Sequence, residues 1–204
     1  MISFVPPTPT RTATPGPKLI MQDDFSDDST GWEVGGDDRY TQGYGDGAYV
    51  ISLQEIDLYV WGIAGLSNIR DVSIRVTARV VSGNPAFGVV CKHADSGAFY
   101  YLGLSADGYY AIARVEGTSD TFLTSSEHLW LKSSVIRANR SAYDLEAVCA
   151  ADGTLTLGVD GTPVVSVNDS QYLGGDIGLF ARSFDEAPAE VQFDDLLAVE
   201  AAGP

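Results

Sequence analysis

Two segments constrain the fold of this chain more than any other. At Ala106-Asp107-Gly108, and again at Ala151-Asp152-Gly153, one run of alternating apolar residues stops and a second begins at once. Asp tolerates a tight turn and Gly supplies the positive-φ position that folds one strand back on the next, so both segments predict β-hairpins. A three-residue loop with a bulge at Gly153 sets Ala150 opposite Thr154, Cys149 opposite Leu155 and Ala147 opposite Leu157. Leu145, Ala147, Cys149, Leu155, Leu157 and Val159 then share one face. A two-residue Asp-Gly loop would instead place Leu145 and Cys149 opposite Asp160 and Thr156, a slip that a half-buried sheet does not accommodate. In the first hairpin the same turn pairs Ser105 with Tyr109, Gly103 with Ala111 and Tyr101 with Ala113. Leu102, Leu104, Tyr110 and Ile112 fall together on the other face, toward a core.

The alternation recurs from Leu19 to Val199, while Ser126–Ser134 and Ser170–Leu173 could each hold only one short turn of helix. So many strands require two packed sheets or a barrel, and the commoner solution is expected here: an all-β, two-sheet antiparallel jelly-roll sandwich. With 204 residues and 45% hydrophobic content, the chain can bury one substantial core, which makes residues 19–204 a single domain. Residues 1–18 differ in kind. Pro6 to Pro17 is Pro/Thr-rich, lacks apolar payload and favours an extended arm or linker. Such spacers commonly join an envelope anchor to an exported domain, which predicts an extracellular or cell-surface bacterial location. A formal charge of −16 opposes contact with nucleic acid or anionic lipid. No stretch approaches the roughly 20 apolar residues that a membrane-crossing helix needs.

Three sets of residues are candidates for function or special structure. On the face of the first hairpin that turns away from the core, small residues are flanked by Phe99, Tyr101 and Tyr109. Rings set around a shallow strip can stack on a sugar, although tyrosine is also an ordinary strand former. Asp23 and Asp24 open the domain and Asp194 and Asp195 close it. If the first and last strands lie side by side, these hard oxygen ligands suit a structural calcium; otherwise they serve turns and solvent. Cys91 and Cys149 both fall on strand faces expected to be apolar. An exported protein with two such cysteines is expected to bridge them, whereas a cytosolic one would keep two buried thiols.

Taken in order, Asp23-Asp24-Phe25-Ser26 with Gly31-Trp32, Phe99-Tyr100-Tyr101, Ser105 to Tyr110, Leu155-Thr156-Leu157 and Val159-Asp160-Gly161 resemble the concanavalin A-like lectin and glucanase superfamily. With Gly175 to Leu179 and Val191 to Asp195, the resemblance is to its laminin-G-like jelly roll, as found in exported bacterial proteins and 3-keto-disaccharide hydrolase-type domains. The superfamily includes lectins, glycosidases, adhesion modules and structural pieces, so the resemblance implies a fold more than an activity. The glucanase members carry Glu-x-Asp-x-(x)-Glu on one strand, and no such run exists here; the nearest approach is Glu190 with Asp194 and Asp195. His93 and His128 have no metal-ligand spacing. The expectation is a noncatalytic carbohydrate-binding module on a stalk, with a glycan or polysaccharide as partner. The alternatives are a structural or adhesive subunit that self-assembles through its N-terminal arm and, third, a glycoside-acting enzyme.

Overall fold

The computed structural model describes residues 16–94 and 97–201, and among them every regular element is a β-strand. In chain order the strands are β1 (Leu19–Asp23), β2 (Gly35–Gly36), β3 (Tyr40–Gly45), β4 (Ala48–Leu53), β5 (Tyr59–Ile63), β6 (Val72–Ser82), β7 (Ala86–Ala94) and β8 (Ala98–Ser105). They continue with β9 (Tyr109–Glu116), β10 (Ser119–Phe122), β11 (Leu131–Lys132), β12 (Ala142–Cys149), β13 (Thr154–Val159), β14 (Thr162–Asn168), β15 (Asp176–Arg182) and β16 (Ala189–Val199). One sheet runs β14-β13-β12-β6-β16-β4-β3-β2, with β1 also on β16; the other runs β10-β9-β8-β7-β15-β5, with β11 also on β9. The pairings are antiparallel, so the expected two-sheet sandwich is the observed fold.

Alternation decides which side chains meet between the sheets. Val72, Ile74 and Val76 of β6, Leu145, Ala147 and Cys149 of β12, and Leu155 and Leu157 of β13 are all buried in one core with Phe87, Val89, Leu102, Leu104 and Leu179. Both hairpins adopt the bulged register. Tyr101 pairs with Ala113 and Gly103 with Ala111, while Cys149 pairs with Leu155 and Ala147 with Leu157. Gly108 and Gly153 take φ of 97° and 89°, and their amides close the turns onto Ser105 O at 3.0 Å and Ala150 O at 3.2 Å.

Cys91 on β7 and Cys149 on β12 are bonded, with Cα atoms 6.6 Å apart, so the single cystine ties one sheet to the other through the core. Neither short segment read as a turn of helix is one. Within 126–134 the chain forms β11 on the free edge of β9, where Leu131 pairs with Tyr110. In 170–173 the Asp169 carboxylate accepts the Gln171 amide and the Tyr100 hydroxyl accepts the Tyr172 amide, which draws the backbone to side chains instead of into a helix. The Pro/Thr-rich arm, and with it the self-assembly assigned to it, lies outside the described residues apart from Gly16 to Lys18.

Candidate functional site

On the smaller sheet, most of the residues that alternate away from the core are buried as well. Val90, Phe99, Tyr101, Ala113 and Phe180 are buried in a second apolar cluster, and Tyr59, Trp61 and Trp130 pack onto it. Glycine makes this layer thin enough to close: a Cβ on Gly103 would stand 2.4 Å from the Phe180 ring, and one on Gly88 would stand 2.9 Å from it. Trp61 covers Phe99 at 5.1 Å between ring centroids, and Tyr59 meets Tyr101 edge-on at 5.7 Å.

Trp130 reaches the cluster by an unusual route. Strand β9 is paired by β10 at one end and β11 at the other, and between them residues 123–130 form a loop that departs after the Leu123 amide has donated to Ile112 O at 2.8 Å. The excursion brings Trp130 back over Tyr101, stacked at 6.1 Å and 15°, with Phe184 against it edge-on at 5.7 Å. Phe99 and Tyr101 are therefore 0% and 1% exposed and cannot offer a face to a ligand as the sequence suggested. Their physical role is to support the rings above them. Tyr109 remains half-buried, with Lys132 Nζ over its ring at 5.1 Å.

The rings border a groove of about 390 Å³, within the size range of small-ligand sites, lined by Tyr109, Leu129, Trp130, Phe184 and the polar Asn84, Ser105, Asp107 and Asp185. The Ser105 hydroxyl donates to the Asp107 carboxylate and accepts the Tyr109 amide at 3.3 Å, which fixes the turn of the first hairpin at the groove floor. Behind Phe184 the Arg182 guanidinium lies over the ring at 5.3 Å and pairs with Asp120 at 3.3 Å. Asp120 also accepts the Tyr101 hydroxyl at 3.4 Å. Burial holds the Tyr59 and Tyr101 hydroxyls well above their ordinary pKa, so both keep their protons, and Tyr101 spends its proton on Asp120. The site thus offers aromatic faces beside carboxylate and amide groups, the combination that binds a polyhydroxylated ring by stacking and hydrogen bonds. Trp130 and Phe184 escaped sequence reasoning because they sit in irregular segments where alternation assigns no face.

The aspartate seam is half as expected. Strand β1 does pair with β16, with Asp23 opposite Leu196. That register turns Asp23 inward, where its carboxylate accepts the Phe25 amide at 2.8 Å and the Thr30 hydroxyl. Asp24 accepts the Ser26 amide, while Asp194 pairs with Arg79 at 3.0 Å and accepts the amide of Asp195. Asp195 lies at a break in the β16 register with φ of 52°. The carboxylates of Asp23, Asp24 and Asp194 are each engaged separately, and among the described residues no group of three or more His, Cys, Asp or Glu side chains is placed to hold a metal ion.

Neither a protein-family model nor a curated protein matches this chain in sequence. Solved structures do share its fold. The carbohydrate-binding module CBM66 from Bacillus subtilis superposes with a TM-score of 0.65 at 16% identity, covering 84% of this chain and 96% of the module. A Bacillus subtilis protein of unknown function with a galectin-like fold gives 0.62 at 13% identity, covering 92% and 98%. The Crh5 transglycosylase gives 0.59 at 10% identity, covering 95% and 90%. The likeness is one of fold: a two-sheet β-sandwich shared with a carbohydrate-binding module and with a transglycosylase.

Proposed function

We propose that this protein is a noncatalytic carbohydrate-binding module that works outside a bacterial cell or at its surface, and that the groove between Tyr109, Trp130 and Phe184 takes the sugar. The observation that carries the reading is Trp130. An edge strand is interrupted, and the interruption delivers an indole backed by the buried Tyr101 ring to a groove whose polar lining is Asn84, Ser105, Asp107 and Asp185. A ring held from behind loses little freedom on binding, which favours affinity from a small contact. The shared fold with CBM66 supports the same reading, and a cystine between the sheets fits an oxidising compartment. The proposal includes residues 1–18 as the stalk and the laminin-G-like branch as the chain's place in the superfamily. Asp107 is engaged by Ser105 within a tight turn, which suits a hydrogen-bonding role better than proton transfer.

A glycan array followed by titration of the best binder tests this. Trp130→Ala should weaken that glycan about tenfold, the worth of one aromatic contact of about 1–1.5 kcal/mol, while Leu129→Ala at the same rim changes affinity little. A wild-type protein that binds nothing on the array, or Trp130→Ala with unchanged affinity, refutes the reading. Release of reducing ends that Asp107→Asn or Asp185→Asn abolishes would replace it with a glycoside-acting enzyme.

A further inference from the structure

Buried polar atoms without a partner are rare in folded proteins, because each forfeits its hydrogen bonds to water. Five such side-chain atoms occur among the described residues, and four of them fall along one path. Trp130 Nε1 lies at the groove already described. Arg182 Nε follows on β15, and Tyr59, whose Oη is the third such atom, pairs with Arg182 from β5. Gln42 Oε1, on β3, is the fourth; the fifth, Trp32 Nε1, belongs to the core.

The path is continuous in contacts. Phe184 touches Trp130 on one side and carries the Arg182 guanidinium on the other, and Tyr59 packs against Trp61 at 5.1 Å. Tyr59, Trp61 and Gln42 then line a second groove of about 340 Å³, rimmed by Glu33, Arg39 and Tyr40, where β3 of one sheet faces the edge strand β5 of the other. Gln42 is only 7% exposed, and its unpaired amide oxygen requires a donor. Trp130 Nε1 and Arg182 Nε can only donate, so they require acceptors. Hydroxyl groups answer both demands, which no simple ion does.

Together the linings of the two grooves span the strands from β8, which ends at Ser105, to β5, which carries Tyr59 and Trp61, three interstrand spacings or about 14 Å, longer than one sugar. Asp107 and Asp185 at one end and Glu33 at the other, where Arg39 is already paired with Asp37 at 2.7 Å, disfavour a ligand bearing carboxylates. We propose that the two grooves are subsites of one track that takes an internal stretch of an extended neutral glycan, with Trp130 and Phe184 holding one end and Trp61 and Gln42 the other. This rests on the glycan-binding reading and adds to it a chain length and a second set of contacts.

Calorimetric titration of the full chain with cello-, laminari-, xylo- and manno-oligosaccharides, each as disaccharide and hexasaccharide, tests the track. The hexasaccharide of the recognised series should bind at least tenfold tighter than its disaccharide. Trp61→Ala should remove about tenfold from the hexasaccharide and nothing from the disaccharide, whereas Trp130→Ala weakens both. Because Trp61 also packs on Phe99, Gln42→Leu provides the second variant. It deletes an unpaired acceptor without adding a charge, so it should melt no lower than wild type and yet lose hexasaccharide affinity severalfold. Equal affinities for the two lengths, or a folded Gln42→Leu protein that keeps its hexasaccharide affinity, would mean that ordered water alone serves these atoms and would overturn the track while leaving the Trp130 result standing. Failure of the wild type to bind any of these sugars or any glycan on the array would instead overturn the reading beneath it.

Discussion

Replacing both cysteines by alanine isolates what the cystine contributes. Cys91 and Cys149 are 58 residues apart, and tethering a loop of that length removes denatured-state entropy worth about 4 kcal/mol in the chain-entropy relation. For a domain of this size that is a fall in melting temperature of about 8–16 °C. The paired substitutions should also steepen the denaturant dependence, because an untethered unfolded chain exposes more surface. Guanidinium titration of wild type and Cys91→Ala/Cys149→Ala, followed by circular dichroism, reads both effects. Adding a reductant to the wild type is a poorer test. Both sulfurs are fully buried, so attack waits on opening of the sandwich, and the rate of reduction should track global unfolding. A double variant within about 1 kcal/mol of wild type, or two alkylatable thiols in native oxidised protein, would refute the tie between the sheets.

Two further perturbations are equally direct. A methyl at Gly62 would sit 1.9 Å from the Tyr49 hydroxyl, which donates to Glu33 O, so Gly62→Ala should cost about 3 kcal/mol in urea unfolding, and Tyr49→Phe in that background should recover part of it. A Gly62→Ala protein of wild-type stability would contradict the close approach. Burial works to raise the Asp169 pKa, but the Tyr100 hydroxyl, the Gln171 amide and Arg114 outweigh it and leave the carboxyl below its ordinary 3.8. Its stabilisation is therefore complete above that value and lost as pH falls through the lowered one. Asp169→Asn should cost about 2 kcal/mol at neutral pH and flatten the acid limb of the urea midpoint; an unchanged acid limb would exclude the network as its source.

What could be read in the sequence follows from what period-2 alternation encodes. It fixes which residues share a face and, with Asp-Gly turns, which residues oppose one another, and so the register around Gly108 and Gly153 was legible to the residue. It does not encode what lies above a face. Phe99 and Tyr101 were correctly placed together, but the rings that cover them come from β5, β15 and the 123–130 excursion, all distant in sequence. Strands of two residues, such as β2 and β11, are too short to alternate at all. The aspartate seam shows the same limit: adjacency of the terminal strands was foreseeable, while the inward turn of Asp23 and the irregular backbone at Asp195 depended on a register that only the folded sheet reveals.

The broken border at β10 and β11 bears on behaviour in crowded solution. A straight outer strand would present an uninterrupted row of amides and carbonyls on which another molecule's strand could zip. Here that row is cut by the very loop that presents the indole. Straightening the loop would thus withdraw Trp130 from the groove and expose a sticky margin together, so the platform proposed for sugar and the protection of this margin are bound to the same eight residues, 123–130.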